Sequence, residues 1–128
     1  GIYFLAGLTR KEVYASVRSF FENTVQDKRP TAVFTFNDFV AIPVIRALLD
    51  IGLQVPHDIS VIGFDDDEAS QFLNPPLASI RAPIYEMGME AAEMLLRLIR
   101  GEQIDSRQVI LQTKVIERSS LAMPLQSV

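Results

Sequence analysis

The chain has 128 residues, of which 48% are hydrophobic and 22% charged, so it can bury the core of a single globular domain and is not a disordered chain. Its formal net charge of -4 argues against nucleic-acid binding by this chain itself, because phosphate binding needs a basic face and the basic residues are scattered. The absence of cysteine excludes disulfides, a thiolate nucleophile and a cysteine-ligated zinc site.

The first part of the chain predicts a strand, a helix and a second strand. Residues 2–6 are apolar and predict a short strand. Residues 12–26 carry apolar side chains at the spacing of one helical face, and Thr9 with Glu12 has the pattern of a capping box at the start of that helix. Residues 31–36 (TAVFTF) are β-branched and aromatic and predict the second strand.

The middle of the chain predicts a βαβ unit. Asn37-Asp38 offers a cap for a helix that extends to residue 51, where Gly52 ends it. Residues 59–64 (ISVIGF) are almost continuously apolar, as expected of a parallel strand that is covered on both faces.

The last part of the chain predicts a strand, a long helix and a final strand. Residues 77–81 predict a short strand, and residues 84–100 predict a helix that Gly101 ends. Residues 109–118 alternate in polarity as a strand does, whereas residues 120–128 have no period and are expected to form a frayed tail.

Polar side chains follow two strands of the predicted sheet at the point where each strand ends. Asn37 and Asp38 follow the strand at 31–36, and Asp65, Asp66 and Asp67 follow the strand at 59–64. The carboxyl ends of parallel strands meet at one edge of the sheet, where open α/β sheets bind ligands. The alternative is that Asp38 only caps its helix and the aspartate run only solvates a loop, which applies least to Asn37 and Asp65.

Aromatic side chains lie next to the same strand ends. The candidates for an apolar wall are Phe36, Phe39, Phe64 and Phe72, although most aromatic residues of this kind belong to a core. An apolar wall with convergent carboxylate and amide groups is typical of a small-ligand pocket, and these groups suit the hydroxyls of a sugar or a ribose.

Metal binding and catalysis fit the sequence poorly. Counted from Asp65, the positions where a calcium loop needs glycine and an acid hold Ser70 and Pro76; a magnesium site on Asp65 and Asp67 remains open. His57 is the only histidine and lies in a turn. We therefore expect no metal, no cofactor and no enzymatic activity.

Several segments together resemble the C-terminal part of the LacI/GalR family of bacterial transcription regulators. They are RPTAVFTFNDFVAI, ALLDIGLQVPHDISVIGFDD, PPLASIRAP, MGMEAAEMLLRLIRG and VIERSS, in that order, and they extend over residues 29–119. The resemblance implies a periplasmic-binding-protein-like, three-layer α/β core with a mostly parallel sheet, in which an effector binds between two lobes. It also implies a helix-turn-helix headpiece and a hinge, which this chain does not contain.

The resemblance also assigns roles to individual residues. Asn37 and Asp65 match positions that bind the effector, Asp38 matches a helix-capping acid, and Leu8 and Thr9 fall near a position that often supplies an aromatic wall. The pocket lining is expected to be Leu8, Thr9, Phe39, Phe64 and Asp66. The dimer interface is expected to be Ile42, Ile45, Leu49, Phe72 and Leu73. A proline at position 43, where the family has a small residue, is expected to kink the helix or shift its start.

The expected organisation has three parts. Residues 1–83 form the C-terminal lobe, residues 84–119 form a segment that returns to complete the N-terminal lobe, and residues 120–128 form the tail. The expected function is binding of a sugar or nucleoside effector by a homodimeric regulator that contacts operator DNA only through its headpiece. No apolar run reaches the roughly 20 residues that span a bilayer, so the chain is expected to be soluble and without membrane contact. The expected location is cytoplasmic, which the absence of cysteine suits. The alternative is a periplasmic-type sugar-binding protein without a DNA role.

Overall fold

The computed structural model of the chain describes residues 9–104, 106 and 108–123. In this part of the chain, none of the helices has the length and apolar character that a bilayer crossing requires. Two short 3-10 helices, Gln26–Lys28 and Glu68–Phe72, lie in the connections. The α-helices and strands are α1 (Arg10–Asn23), β1 (Ala32–Phe34), α2 (Asp38–Asp50), β2 (Ser60–Phe64), β3 (Ala78–Arg81), α3 (Ile84–Ile99) and β4 (Lys114–Ile116). The strand predicted at residues 2–6 lies outside the described residues.

The four strands form one sheet in the order β1-β2-β3-β4. β1, β2 and β3 are parallel, and β4 is antiparallel to β3. The predicted α/β fold with a mostly parallel sheet is confirmed. Phe34 and Val115, on the face opposite the buried Val61, are 61% and 57% exposed. The described residues therefore cover one face of the sheet with helices, and the third layer is not formed by them.

The hydrophobic core lies between α1, α2 and the covered face of the sheet. Phe21 and Leu48 are fully buried there and face Val61 of β2 and the fully buried Leu77 before β3. The other members of this core are Val13, Val17, Ala41, Val44, Ile45, Ala47, Val55 and Ile59. Burying a Leu, Val or Phe side chain is worth about 1.5–3 kcal/mol each, so this core holds the two helices on the sheet.

Side chains of the predicted type cap the N-termini of α1 and α2. The Thr9 hydroxyl accepts a hydrogen bond from the Glu12 amide at 3.2 Å, and the Glu12 carboxylate accepts one from the Thr9 amide at 2.9 Å. Asn37, not Asp38, caps α2, because its Oδ1 accepts from the Val40 amide at 3.0 Å. The chain leaves α2 through Gly52, whose φ of +81° favours glycine.

α2 continues through its proline. Pro43 lies inside the helix and is buried, and the helix begins at Asp38 as the cap pattern predicts. Because proline has no N–H, the Phe39 carbonyl loses its usual partner one turn earlier. That loss falls close to the start of the helix and does not shift its first residue.

α3 differs from the other two helices because none of its residues is buried. All but one of its large apolar side chains are 45% to 77% exposed, namely Ile84, Tyr85, Met87, Met89, Leu95, Leu96, Leu98 and Ile99, and the remaining one, Met94, is half-buried. The polar residues Glu86, Glu90, Glu93 and Arg97 recur at helical spacing on another face. α3 is thus an amphipathic helix whose apolar face has no cover among the described residues.

The segment expected to leave the lobe over residues 84–119 is shorter than predicted. Its predicted end at residue 119, where the tail 120–128 was expected to begin, is wrong. The strand predicted at 109–118 is shorter, and β4 (Lys114–Ile116) pairs with β3 in the same sheet as β1 and β2. Ser120, expected in a frayed tail, is fully buried: its backbone amide donates to Pro76 and its carbonyl accepts from Val61. The segment that leaves this lobe after β3, which we call the excursion, therefore ends before Lys114, because the backbone of β4 pairs with β3 from Lys114 onwards.

We predict that Ser120→Ala destabilises the chain by about 3 kcal/mol. The Ser120 hydroxyl donates to the Val61 carbonyl at 2.6 Å and accepts from the Ala78 amide at 2.8 Å, and the substitution leaves both groups buried without this partner. Urea unfolding monitored by circular dichroism measures the change. Ser119→Ala is the matched control, because Ser119 is exposed and should change stability by less than about 0.5 kcal/mol. Equal effects of the two substitutions would contradict the described role of Ser120.

Candidate functional site

The candidate site lies at the carboxyl edge of β1 and β2. Phe34 of β1 and Ile62 of β2 are register partners. Asn37 comes three positions after Phe34, and Asp65 comes three positions after Ile62. The two polar residues predicted to bind an effector therefore leave the sheet at the same level on neighbouring parallel strands. The geometry brings them to one edge, where ligands of open α/β sheets bind.

Asp38 lies beneath this edge as a buried carboxylate. It is 3% exposed, and its Oδ2 accepts from the Ser70 hydroxyl at 2.6 Å and from the Asp67 amide at 2.8 Å. Its Oδ1 accepts from the Ser79 hydroxyl at 2.6 Å. The expectation that Asp38 caps α2 is wrong, because Asn37 takes that position and the Asp38 side chain binds the loop after β2 instead.

Gly63 makes room for that carboxylate. A Cβ on Gly63 would overlap Asp38 Oδ1 and lie 3.1 Å from the Leu77 side chain. Glycine at this position of β2 therefore follows from the close approach of a charged side chain to the strand backbone.

Asp65 is one of the two exposed members of the aspartate run, the other being Asp67. Its φ of +94° is unusual for a residue with a side chain, and its backbone amide donates to the Ile80 carbonyl at 2.9 Å. No hydrogen bond or ion pair joins its carboxylate to another residue in the described part of the chain. The fold thus holds the Asp65 backbone and leaves its carboxylate oxygens open to a ligand.

Asp66 has the opposite environment. Its side chain is 4% exposed, and it accepts from Arg81 Nε at 2.6 Å and from Arg118 Nη2 at 2.7 Å. Burial raises the pKa of the Asp66 carboxyl, but the hydrogen bonds and charges of Arg118 and Arg81 outweigh it and lower that pKa below its ordinary value. The prediction that Asp66 lines the pocket does not fit this position, because both carboxylate oxygens bind arginines.

Asp67 and Glu68 begin the 3-10 helix Glu68–Phe72. The Asp67 carboxylate accepts from the Ala69 amide at 2.8 Å and so caps this helix. The acidic run is therefore divided into separate roles. Within residues 9–104, 106 and 108–123 no group of three or more acidic or histidine residues is arranged to hold a metal ion.

The other predicted pocket residues lie at varied positions. Phe39 is 55% exposed in the first turn of α2, and the Arg10 guanidinium lies 3.4 Å from its ring centroid. Phe64 is half-buried at the end of β2, and the Thr9 side chain is used as the cap of α1. Leu8 lies outside the described residues.

The five residues predicted to form a dimer interface do not share one environment. Phe72 is 76% exposed and Leu49 is 41% exposed, whereas Ile42 is half-buried. Leu73 is half-buried against the core, and Ile45 is 5% exposed within it. Ile45 therefore offers almost no surface to a partner, which corrects the prediction at that residue.

A cavity of about 720 Å³ opens at the opposite, amino edge of the sheet. Arg29, Ser60, His57 and Asp58 are among the residues that line it. His57 is exposed, and its Nδ1 lies 3.1 Å from Asp58 Oδ1. This cavity is separate from Asn37 and Asp65, which follow the other ends of the strands.

Two serines and two arginines hold the site but are not among the residues predicted from the sequence. Ser70 and Ser79 bind Asp38, and Arg81 and Arg118 bind Asp66. The only feature of the sequence that could have indicated one of them is the place of Arg81, which directly follows the apolar part of a predicted strand. Partners separated by up to 52 positions leave no periodic pattern in one sequence.

Comparisons with known proteins show the family to which this fold belongs. Residues 5–121 match the family model described as "Periplasmic binding protein-like domain". The chain belongs to this family of periplasmic binding protein-like domains. It has the form found in the effector-binding core of LacI/GalR-type regulators, on the evidence of the relatives described next.

Relatives of known sequence or structure are regulators. The HTH-type transcriptional repressor PurR of Aliivibrio fischeri (strain ATCC 700601 / ES114) is 42% identical over 101 residues, which are 79% of this chain and 30% of that protein. A regulatory protein of the LacI family from Chloroflexus aggregans has a TM-score of 0.82 and 33% identity, covering 91% of this chain and 41% of that one.

A LacI family transcriptional regulator from Lactobacillus casei with bound sucrose has a TM-score of 0.72 and 34% identity, covering 88% of this chain and 41% of that chain. The chain therefore spans about a third to two fifths of the relatives that it matches.

We predict that Gly63→Ala destabilises the chain by about 3 kcal/mol, because the added methyl group displaces the Asp38 carboxylate from its donors. Thermal and urea unfolding measure this loss. The control is Gly88→Ala in the interior of α3, where an added Cβ meets nothing within 4 Å and alanine raises helix propensity by about 1 kcal/mol. Tolerance of alanine at position 63 would show that the Asp38 carboxylate does not need this space.

Proposed function

We propose that this chain is the effector-binding and dimerisation portion of a LacI/GalR-type transcription regulator. The observation that carries the proposal is the open carboxylate of Asp65, held by a fixed backbone at the carboxyl edge of β2, level with Asn37 on β1. The relatives are repressors, which favours a regulator over the periplasmic-type sugar-binding protein. Binding, not catalysis, is the proposed role of the site.

The proposed effector carries hydroxyl groups and belongs to the sugars or nucleosides. An aspartate accepts hydrogen bonds from two adjacent hydroxyls, and the asparagine amide can both donate and accept. Asn37 uses Oδ1 for the helix cap, so its Nδ2 is the group that faces a ligand oxygen. The similar regulator from Lactobacillus casei has bound sucrose, which supports the sugar class.

Aromatic groups at the same edge suit such a ligand. Phe36 precedes Asn37 and is 70% exposed, and Phe39 is 55% exposed beneath the Arg10 guanidinium. An exposed ring next to hydrogen-bonding groups can cover the apolar face of a sugar ring or a base. These rings are the proposed apolar wall of the site on this lobe.

The exposed face of α3 has a role in the same proposal. It is proposed to pack on the second lobe. The effector then lies between the two lobes, which are joined by the chain segments before and after α3. An effector that binds both lobes favours the closed arrangement and shifts the population of the two states. Operator DNA is contacted through a headpiece outside this chain, and the site of action is the cytoplasm.

The proposed homodimer uses the α2 surface and the 3-10 helix after β2. Phe72 and Leu49 are large, apolar and exposed, and Ile42 lies about two turns before Leu49 on the same helix. Apolar side chains of this size are typical of the central part of an interface. Ile45 is not part of the proposal because it belongs to the core.

We predict that Asp65→Ala lowers effector affinity at least about 100-fold, because a hydrogen bond to a charged group is worth about 1.5–3 kcal/mol and Asp65 makes two. Isothermal titration calorimetry of the regulator with sucrose, lactose, cellobiose, adenosine and guanosine measures the affinity. Asn37→Ser keeps a capping oxygen and removes the amide, so it should lower affinity about tenfold without unfolding α2.

Glu68→Ala is the matched control for that measurement. Glu68 is an exposed carboxylate three positions after Asp65, and it lies at the start of the 3-10 helix. Its substitution should leave affinity unchanged. The proposal fails if none of the five compounds binds, or if Asp65→Ala and Asn37→Ser bind as tightly as the wild type.

A further inference from the structure

The chain leaves the lobe and returns to it at one place. Arg81 is the last residue of β3, Lys114 is the first residue of β4, and the two are register partners. Residues 82–113 lie between them and contain α3, which has no buried residue. We call the Arg81–Lys114 pair the neck, because the excursion is anchored to the sheet there.

The Asp66 carboxylate bridges the two chain segments that form the neck. Its Oδ2 accepts from Arg81, at the end of the outgoing strand, at 2.6 Å. Its Oδ1 accepts from Arg118, two residues beyond the returning strand, at 2.7 Å. Arg118 also donates to the Leu77 carbonyl at 2.7 Å, before β3. One buried side chain thus joins both arms of the neck.

The same carboxylate is coupled to the exposed Asp65 through the backbone. Asp65 and Asp66 have φ values of +94° and +56°, so two successive residues have a backbone conformation that residues other than glycine rarely adopt. The Asp65 amide donates to the Ile80 carbonyl at 2.9 Å, and the Asp66 amide donates to the Ser79 hydroxyl at 3.0 Å.

The pair of aspartates is therefore bonded to three successive residues at the end of β3: Ser79, Ile80 and Arg81. Since Arg81 is the last residue before the excursion, a displacement of Asp65 acts on the neck directly. A strained backbone of this kind persists only where the surrounding contacts hold it in place. Such backbone is often found at ligand-binding sites and at segments that change conformation.

We propose that Asp66, with Arg81 and Arg118, is a positioning cluster that couples ligand occupancy at Asp65 to the angle of residues 82–113 relative to this lobe. Asp66 does not contact the ligand; it transmits the position of Asp65 to both arms of the neck. The inference rests on the proposed function, because it takes Asp65 as a ligand contact, and it adds the route by which that contact moves the second lobe.

Arg81→Met is the substitution that tests the cluster with the least damage to the fold. The Arg81 side chain is 55% exposed, and methionine keeps most of its aliphatic stem. Asp66 retains Arg118, so the buried carboxylate keeps a charged partner while the outgoing arm loses its link. Arg18→Met is the matched control, because the Arg18 side chain is 46% exposed and pairs with Glu22 at 2.8 Å on α1, away from the neck.

The measurement is the distance between two spin labels in the intact regulator. This chain contains no cysteine, so Ser19→Cys on α1 and Glu93→Cys on the polar face of α3 introduce unique labels within it. Electron–electron double resonance gives the distance with and without a saturating probe, the tightest binder among sucrose, lactose, cellobiose, adenosine and guanosine. Calorimetry gives the probe affinity of each variant.

The wild type and Arg18→Met are expected to show the same probe-induced shift in distance. Arg81→Met is expected to lose at least about half of that shift while its probe affinity stays within about threefold of the wild type, since a positioning residue changes coupling more than contact. Asp66→Asn, which removes the charge and keeps the shape, should act in the same direction; if it does not fold, Arg81→Met still decides.

A full shift in Arg81→Met overturns the inference, and so does a tenfold loss of its probe affinity, which would make Arg81 a ligand contact. Failure of the proposed function gives a different result. In that case no probe binds, or Asp65→Ala binds as tightly as the wild type, and the inference falls with it. When Asp65→Ala loses affinity but Arg81→Met keeps the shift, only the inference is wrong.

Discussion

The buried carboxylate of Asp38 is the constraint on which the rest of the candidate site depends. It has little exposure and three neutral donors, the Ser70 and Ser79 hydroxyls and the Asp67 amide. Burying a charged group is costly unless hydrogen bonds satisfy it, so these donors must be in place together. They come from the loop after β2 and from β3, and the acceptor comes from the first turn of α2. One side chain therefore fixes the relative position of three segments.

The division of the aspartate run follows from that constraint. With the Asp67 amide bonded to Asp38, the chain between β2 and the 3-10 helix must turn sharply, and Asp65 and Asp66 take positive φ values. The turn directs Asp66 towards Arg81 and Arg118 and leaves Asp65 exposed. Adjacent residues of the same type thus have different roles because the backbone gives them different surroundings.

Local patterns in the sequence predicted the elements well. The capping box of Thr9 and Glu12, the helix stop at Gly52 and the apolar strand at 59–64 depend on residues close together in the chain, and the structure contains all three. Asn37 and Asp38 are both good caps, so composition could not decide which one caps α2 and which one is buried.

Features that depend on distant partners could not be predicted in the same way. Ser120 bonds to Val61 and Ala78, and Arg118 bonds to Asp66, across 42 to 59 positions. No periodic pattern in the sequence marks these pairs, so the sequence does not predict that β4 pairs with β3 in this lobe. The sequence predicts that Asn37 and Asp65 share one edge of the sheet because both follow strands that pair in parallel, which is a consequence of topology and not of contact.

Amide hydrogen exchange at Asp67, measured by NMR in the wild type and in Asp38→Asn, tests most directly whether the Asp38 carboxylate holds the loop after β2. The substitution replaces one acceptor oxygen by an NH₂ group that faces donors, so we expect slow exchange of the Asp67 amide in the wild type and exchange at least about tenfold faster in Asp38→Asn. The Val61 amide, which donates to Ser120, should remain protected in both proteins. Equal protection of the Asp67 amide in the two proteins would show that the Asp38 carboxylate does not hold this loop.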